Sequence, residues 1–395
     1  MFQNSVIVSA GRTPIGSFGG SLQSKTVTEL AAIAIKAVIE RAGIDPKEVD
    51  EVVMGCVGQA GVNAFLARTA ALGAGCSEDS SAQTVNRMCA SGLQAIVTAA
   101  MMIESGDIGV AVAGGAESMS NYPYLLTQAR WGMRMGAQQG ALEDALTTAL
   151  CDPLRGTQVH IATTAENIAE KYGLTREELD AYAVAGQEKA FAAIAAGKFT
   201  EEIIPVELKS KKATTIFEVD EYPRQTSLES LAKLRPIFKA DGMVTAGNSS
   251  GINDGSAAMV LMSLEKAEQL DCKPIARIVD YAVAGVSPDY MGMGPVAATN
   301  KLLQKTGMKL SDLAVIELNE AFAAQAVGCI KELGLDPEKV NVNGSGISLG
   351  HPIGATGAVV SVKLINELKR RGARYGLSTL CIGGGQGMSA IFEVL

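Results

Sequence analysis

Two distant segments of the chain share one order of structural elements. Residues 36–55 (KAVIERAGIDPKEVDEVVMG) and residues 300–319 (NKLLQKTGMKLSDLAVIELN) each predict an amphipathic helix, a glycine, a short acidic turn and an apolar strand. The two segments align without a gap, although few of their residues are identical. An internal repeat of this kind strongly constrains the fold. It predicts two α/β halves built on one plan.

A second pair of segments extends the repeat. An alanine, a hydroxyl residue and a glycine open a predicted helix in each half, at residues 90–92 and 355–357. Each helix leads into an apolar strand that ends in glycines. Strands that are apolar on both faces and alternate with helices indicate sheets covered by helices. The halves are therefore predicted at roughly residues 1–120 and 273–395.

A different kind of sequence separates the halves. Residues 163–198 predict helices, with Thr164 or Thr175 as a possible N-cap, and Lys and Arg are in local excess between residues 209 and 239. Residues 252–265 predict one more strand that returns to the first half. The predicted domains are residues 1–121 with 252–272, an inserted domain at 122–251, and residues 273–395.

Composition limits the classes of function. The 395 residues, 47% of them hydrophobic and 19% charged, can bury a large core of two or three domains. A formal net charge of −8 argues against nucleic-acid binding. No apolar stretch is expected to span a bilayer, and the N-terminus has no signal or transit pattern. The seven scattered cysteines show no C-x-x-C pair, which disfavours disulfides and structural zinc and predicts a reducing cytoplasm.

One cysteine has a sequence context that suits a nucleophile. Cys89 directly follows a predicted strand and lies at the first turn of a predicted helix. The unpaired N–H groups and the positive dipole end of a helix N-terminus favour a thiolate. The alternative is a small buried apolar side chain, which is what most cysteines are. The context makes Cys89 the leading candidate.

The chain has only two histidines, so an imidazole base has few candidates. His351 lies in a glycine-rich loop (residues 344–357) that permits close approach of a ligand, and the following helix corresponds to the helix after Cys89. His160 has no such setting and either lines a site or packs. His351 is therefore the predicted base.

Two further segments follow predicted strand ends, where α/β sheets place their ligands. Cys381 precedes the glycine run at residues 383–387, where a thiol beside exposed N–H groups can exchange protons with carbon acids. The glycine run alone is also compatible with a simple hairpin turn. Asn319 begins the sequence NEAFA, for which a plain helix cap is the alternative.

Taken together, these segments resemble the thiolases. The resemblance rests on VNRMCASG (85–92), NEAFA (319–323), GHPIGATG (350–357) and CIGGGQG (381–387), with GGAESMS (114–120) and TAGNSSG (245–251) as further matches. It covers essentially the whole chain and is closest to bacterial biosynthetic 3-ketothiolases. It implies an α/β fold of duplicated halves packed as a five-layer α-β-α-β-α core, with a helix-rich loop domain inserted in the first half.

The resemblance also implies a mechanism. Cys89 attacks an acyl thioester, His351 accepts the thiol proton, and Cys381 removes an α-proton from a second acetyl-CoA, whose carbanion attacks the acylated cysteine. Thiolysis is the reverse. His351 and a water held by Asn319 surround one thioester oxygen, and the N–H groups of Cys89 and Gly383 hold the other. No metal or redox cofactor is implied; coenzyme A thioesters are the substrates.

The same resemblance places coenzyme A in the inserted domain. The implied binding residues are Ser250, His160, Leu231, Ala246, Ala321, Phe322, Arg224 and Met291. The chain departs from the family pattern at residues 343–348 and at Leu231, where a methionine is common, so the chain-length range stays open. A deletion of one residue before Ser230 also leaves the placement of Arg224 open.

Three alternatives compete with this interpretation. A ketoacyl synthase of the same fold is disfavoured by the scarcity of histidines and by Cys381. A catalytically silent CoA-binding protein is disfavoured by the complete set of site residues. A dinucleotide-binding oxidoreductase lacks the G-x-G-x-x-G pattern after the first strand. The resemblance further implies a homotetramer, a dimer of dimers bridged by residues 122–145, where residues 129–136 are apolar and basic.

Overall fold

The computed structural model describes residues 2–133, 135, 142–152, 159–211 and 213–395. The strands are β1 (Ser5–Arg12), β2 (Gly16–Ser17), β3 (Glu51–Gly55), β4 (Ser81–Val85), β5 (Val110–Ser118), β6 (Tyr124–Leu125), β7 (Glu143–Asp144), β8 (Val206–Lys209), β9 (Thr214–Phe217), β10 (Asn253–Ser263), β11 (Ala276–Gly285), β12 (Val315–Leu318), β13 (Tyr375–Ile382) and β14 (Gln386–Val394). The α-helices are α1 (Val27–Ala42), α2 (Leu66–Gly73), α3 (Ser91–Ser105), α4 (Ala145–Ala149), α5 (Ala162–Tyr172), α6 (Arg176–Ala195), α7 (Leu228–Ala232), α8 (Leu264–Gln269), α9 (Gly294–Thr306), α10 (Ala323–Leu333), α11 (Gly346–Leu349) and α12 (Ile353–Arg371).

The repeat in the sequence is a repeat in strand order. The first half runs β4-β3-β5-β10-β1 and the second runs β12-β13-β14-β11, with β2 attached to β10. In each half the repeat strand, β3 or β12, lies parallel to the next strand, and the pairs that follow are antiparallel. Within the sheet, β1 of the first half pairs with β11 of the second at one position, Ile7 with Ala276. The counterpart of β4 in the second half is only a parallel bridge between Ile316 and Val340.

Helices α3 and α12 form the middle of five layers. α12 contacts β5 and β10 of the first half and β12 and β13 of the second, and it is buried from Ile353 to Leu368. α1 and α2 cover the outer face of the first half, and α9 packs on the outer face of the second. The predicted five-layer α/β fold with duplicated halves is confirmed.

The two central helices cross at the repeated glycines. A Cβ atom added to Gly92 would lie 2.8 Å from the Ala358 nitrogen, and one added to Gly357 would lie 2.4 Å from the Leu93 nitrogen. Only glycine therefore permits this approach. Residues 88–105 are long and apolar enough to cross a membrane, contrary to the sequence prediction, but 61% of that segment is buried in the protein core. Its apolar character is explained by the helix layer.

The inserted segment is held to the first half by a buried arginine. Arg12 donates from Nε to Glu202 Oε1 (2.8 Å) and from Nη1 to Asp220 Oδ1 (2.7 Å). Thr175 caps α6 in a capping box with Glu178, as predicted. Thr164 is not a cap; it lies inside α5. β10 pairs with β1 and β5, in agreement with the strand predicted at 252–265, while the domain boundaries stay predictions.

Candidate active site

Cys89 lies in a tight turn between β4 and α3. The preceding residue, Met88, has a φ of 46°, a left-handed conformation that is uncommon outside glycine and that often marks a functional site. The Ser91 hydroxyl stabilises the turn, because it accepts from the Arg87 N–H (2.8 Å) and donates to the Met88 carbonyl (2.7 Å). The thiol is consequently held immediately before the first turn of the central helix.

The resting Cys89 is a neutral thiol. Burial raises its pKa to about 11, although the N–H groups of Gly383 and Cys89 act in the opposite direction by hydrogen bonding to the sulfur. The helix N-terminus, from which a thiolate was predicted, favours the charged form, but desolvation outweighs that effect. The thiol therefore requires a partner that accepts its proton at the moment of attack.

His351 is the predicted partner. Its Nδ1 lies 2.6 Å from the Thr356 hydroxyl, which itself donates to the Pro352 carbonyl (2.8 Å). Because that hydroxyl proton is already used, Nδ1 carries the imidazole hydrogen and Nε2 is left as the base. Burial lowers the pKa of His351 to about 4, so the ring is neutral at physiological pH.

Asn319 contacts His351 and is not a helix cap. Helix α10 begins at Ala323 and is preceded by Phe322 without a side-chain cap. The Asn319 amide Nδ2 lies 3.4 Å from His351 Nε2, and its Oδ1 is buried without a partner among the described residues. A buried amide oxygen in this state is available to a water or a substrate donor.

Cys381 and Gly383 come from the hairpin between β13 and β14. Gly384 and Gly385 turn this hairpin with φ values of 88° and 89°, so the glycine run is a turn as well as a part of the site. Cys381 is completely buried, and burial together with the nearby Cys89 and Cys329 raises its pKa well above the usual range. Two thiols in one apolar enclosure resist simultaneous ionisation.

A cavity of about 500 Å³ lies in front of the two thiols and His351. Cys89, His351 and Gly383 line it, whereas Asn319 and Cys381 lie behind its wall. Of the binding residues that the sequence implied, those lining the cavity are Ser250, His160, Ala246, Ala321, Phe322 and Met291. Leu231 and Arg224 line a shallower neighbouring pocket that shares Ala246 with the cavity. The structure thus places the predicted residues in or directly behind two neighbouring pockets.

The outer part of the cavity contains polar groups with fixed orientation. The His160 ring stacks on Phe238 with centroids 4.4 Å apart, and its Nδ1 accepts from the Ala162 N–H (3.1 Å). Its hydrogen is therefore on Nε2, and burial lowers its pKa. Arg224 lies over the Tyr222 ring at 4.9 Å and donates to the Ala246 carbonyl (3.2 Å).

Two residues that position the site were not predicted from the sequence. Thr356 orients His351, and the buried Glu117 accepts at Oε2 from the N–H groups of Gly354 (2.8 Å) and Val57 (3.0 Å). Glu117 therefore fixes the loop of His351 to the half that carries Cys89. Both residues lie within the quoted motifs, but their partners are identified only by the fold.

The fold and the arrangement of two thiols and one imidazole are those of an acyl-transfer enzyme in which Cys89 is the predicted nucleophile and His351 the predicted base. The chain belongs to the thiolase family: the family model "Thiolase, N-terminal domain" matches residues 5–265 and "Thiolase, C-terminal domain" matches residues 272–394. The resemblance inferred from the sequence is confirmed. Within the described residues, no group of three His, Cys, Asp or Glu side chains is placed to bind a metal ion.

Relatives match over the whole chain. An acetyl-CoA acetyltransferase of Syntrophomonas wolfei is 47% identical and the beta-ketothiolase BktB of Cupriavidus necator is 50% identical, each covering 100% of both sequences. The crystal structure of the Bacillus anthracis acetyl-CoA acetyltransferase superposes with a TM-score of 0.97 at 49% identity, covering 100% of this chain and 99% of that one. Human mitochondrial 3-ketoacyl-CoA thiolase in complex with CoA gives 0.95 at 41% identity, covering 100% and 98%.

Proposed function

We propose that the protein catalyses the reversible Claisen condensation of two acetyl-CoA molecules to acetoacetyl-CoA, and the thiolysis of short 3-ketoacyl-CoA, through an acyl-Cys89 intermediate. The observation that carries this proposal is a single cavity lined by the Cys89 thiol and the neutral His351 imidazole, with the Cys381 thiol buried behind its wall. The names of the full-length relatives, acetyl-CoA acetyltransferase and beta-ketothiolase, support the same reaction.

The first half-reaction acylates Cys89. Its sulfur attacks the thioester carbonyl while His351 Nε2 takes the thiol proton, and the N–H groups of Cys89 and Gly383 stabilise the oxyanion. The carbon–sulfur bond to coenzyme A then breaks. Cys381 donates its proton to the departing thiolate, which leaves a Cys381 thiolate beside protonated His351.

The second half-reaction forms the carbon–carbon bond. The Cys381 thiolate takes an α-proton from a second acetyl-CoA, whose enolate oxygen lies between His351 and a water held by Asn319. The carbanion attacks the acyl group, and the Cys89 sulfur leaves and recovers its proton from His351. Both thiols and the neutral imidazole are thereby regenerated.

Coenzyme A is proposed to enter through the inserted domain. Human mitochondrial 3-ketoacyl-CoA thiolase crystallises in complex with CoA, and the cavity here is lined by inserted-domain residues His160, Ala246 and Ser250. Leu231 and Arg224 would then meet the outer part of the ligand. No metal or redox cofactor takes part in the proposed chemistry.

The proposed assembly is a homotetramer in the cytoplasm. Trp131 is 81% exposed, and Met133 and Met135 are also exposed, which is typical of an interaction surface. Arg134, Gly136 and the residues up to 141 of the predicted bridging segment lie outside the described residues. A monomeric mass by light scattering at micromolar concentration would contradict the tetramer.

A direct assay tests the proposed reaction. The purified protein with acetyl-CoA alone should form acetoacetyl-CoA, and with acetoacetyl-CoA and free CoA it should form acetyl-CoA. A broader degradative thiolase would prefer longer 3-ketoacyl-CoA, and a decarboxylating ketoacyl synthase would require a malonyl thioester. If the protein catalyses neither condensation nor thiolysis, the proposed reaction is wrong and the alternative of a catalytically silent CoA-binding protein is favoured.

A further inference from the structure

The strand that leads to Asn319 has an incomplete neighbour on one edge. In the first half, β3 pairs with β4 over five residues. In the second half, the corresponding edge of β12 meets, among the described residues, only a parallel bridge between Ile316 and Val340. Leu318, the last residue of β12, is buried, so its N–H and carbonyl groups on this edge need a partner that is not a strand.

The side chain of Asn341 is that partner. Its Oδ1 accepts from the Leu318 N–H (2.9 Å), and its Nδ2 donates to the Leu318 carbonyl (2.8 Å). Asn341 is 2% exposed and has a φ of 48°, a left-handed conformation that asparagine tolerates better than most residues. The end of β12 is therefore fixed by one side chain, immediately before Asn319.

The residue after Asn319 is bound to the same side chain. Glu320 is buried, and its Oε1 accepts from Asn341 Nδ2 (2.7 Å) and from the Tyr182 hydroxyl of α6 (2.8 Å). Its Oε2 accepts from the Ile347 N–H (3.2 Å), in the loop that carries the imidazole. Asn319 thus lies between two residues that are both hydrogen-bonded to Asn341.

The side chain of Asn319 has little else to fix its position. Its Nδ2 lies 3.4 Å from His351 Nε2, and its Oδ1 is buried without a partner among the described residues. In the proposed second half-reaction this amide holds the water beside the enolate oxygen. A misplacement of about 1 Å in such a site can cost roughly 10²-fold in rate. The position of the Asn319 backbone is therefore important for this step.

We propose that Asn341 is a positioning residue for the enolate step, in which its amide, together with the Glu320 carboxylate, holds Asn319 where it can bind the water. This inference rests on the proposed function and adds two residues, outside the reacting groups, on which one half-reaction depends. Acylation uses the N–H groups of Cys89 and Gly383 instead. Loss of the Asn341 amide should therefore slow α-proton exchange much more than acylation.

The test measures two rates for each variant, namely single-turnover acylation of Cys89 by acetyl-CoA and exchange of acetyl-CoA α-protons with deuterated solvent. Asn341→Gly removes the amide without straining the backbone, because glycine readily adopts a positive φ. The ratio of exchange to acylation should fall about 10–100-fold relative to wild type. In Glu320→Gln, which replaces one acceptor oxygen by an NH₂ group, the ratio should fall at least about threefold.

A double variant tests whether Asn341 acts through Asn319. Asn319→Ala should itself lower the ratio of exchange to acylation. Adding Asn341→Gly to Asn319→Ala should change the ratio by less than about threefold further, because the effects of residues in one hydrogen-bonded network are not additive. A general loss of structure would instead lower the ratio again in the double variant.

The matched control is Asn343→Ala. Asn343 is also 2% exposed and lies in the same segment, where it donates to Glu367 Oε2 (2.8 Å) and accepts from Lys198 Nζ (2.9 Å). These contacts do not involve residues 318–320. The variant should be less stable, but its ratio of exchange to acylation should stay within about twofold of wild type.

Thermal melting checks that each variant is folded, and if Asn341→Gly does not fold, Glu320→Gln decides by the same ratio. The inference is overturned if the folded variants keep the wild-type ratio, if Asn319→Ala does not lower it, or if the effects of Asn341→Gly and Asn319→Ala multiply. It is also overturned if Asn343→Ala lowers the ratio as much as Asn341→Gly does. If the wild-type protein lacks either reaction, the proposed function itself fails.

Discussion

The two junctions that lead into α3 and α12 have corresponding positions in the duplicated fold but differ in chemistry. Both helices meet at Gly92 and Gly357, so their N-termini are brought together by equivalent backbones. In the first half a left-handed Met88 places a thiol at the helix start. In the second half a longer loop places an imidazole there. The duplicated scaffold therefore determines where the site is, and short non-equivalent loops determine what each half contributes.

Burial shifts the pKa of the reactive side chain in opposite directions at the two junctions. Burial raises the pKa of the Cys89 thiol to about 11 and lowers that of the His351 imidazole to about 4. Burial disfavours the charged form of both groups, so the resting pair is a neutral thiol beside a neutral base. Proton transfer is thereby coupled to attack on the thioester instead of preceding it.

The largest expected effect comes from removing the Cys89 thiol, which is the contribution of the first half to the site. Cys89→Ala should abolish the acyl-enzyme and lower condensation and thiolysis by more than about 10⁴-fold, because no covalent intermediate can form. Mass spectrometry checks this directly: acetoacetyl-CoA without free CoA should add an acetyl mass to the wild-type peptide that contains Cys89. Labelling of Cys381 instead would reverse the assigned roles.

Removing the second thiol should separate the half-reactions. In Cys381→Ala, acylation of Cys89 should persist at a reduced rate, whereas condensation should fall by roughly 10²–10⁴-fold, the usual contribution of positioned acid–base catalysis. Exchange of acetyl-CoA α-protons with deuterated solvent should be lost with it. Near-wild-type exchange would exclude Cys381 as the base. Glu320 would be a poor substitute, because Tyr182 (2.8 Å) and Asn341 (2.7 Å) already donate to its carboxylate.

A smaller effect is expected from removing the hydrogen bond that orients the His351 imidazole. Thr356→Val removes the acceptor of the His351 Nδ1–H, so the ring loses the contact that selects its tautomer. We expect acylation to slow by about 10–100-fold, the usual range for such supporting contacts. Thr356→Ser, which keeps the hydroxyl, should recover most of the rate. If Val and Ser variants are equally slow in single-turnover acylation, the hydroxyl does not orient the imidazole.

The helix crossing can be disturbed without touching a reactive atom. Gly92→Ala places a methyl group 2.8 Å from the Ala358 nitrogen, so the helices must separate, at a cost of about 1–3 kcal/mol in the free energy of unfolding. Gly73→Ala on α2 is the matched control, since its nearest contact would be an ordinary 3.5 Å to the Ala32 Cβ. That change should be neutral or stabilising by less than about 1 kcal/mol. Equal urea midpoints for the two variants would contradict the close crossing.

The sequence predicted the scaffold better than the interactions within the site. The repeat and its glycines identified both halves and the helices that begin beside Cys89 and His351, because these patterns are local. The neutral state of Cys89 was missed, since desolvation depends on the whole fold and outweighs the helix terminus. Thr356 and Glu117 were missed for the same reason: Glu117 binds the Gly354 N–H, far away in sequence. The hydrophobic periodicity of a sequence gives no information about a contact between residues so far apart.

The smallest expected effect is a difference in pH dependence of stability between the two junctions. His351 has a native pKa of about 4 against an ordinary 6.5, so the stability it contributes is fully present above 6.5 and is lost as the pH falls toward 4. Cys89 has a native pKa of about 11 against 9.0, so its contribution is fully present below 9 and is lost as the pH rises toward 11. Relative to His351→Asn, wild-type protein should therefore lose stability only on the acid side, and relative to Cys89→Ala only on the alkaline side. Urea unfolding of the three proteins between pH 4 and 11 measures both differences, and comparison with each variant removes the contribution of all other titrating groups. Differences that stay constant across this range would mean that neither pKa changes on folding, which would contradict the desolvation of both groups in the native protein.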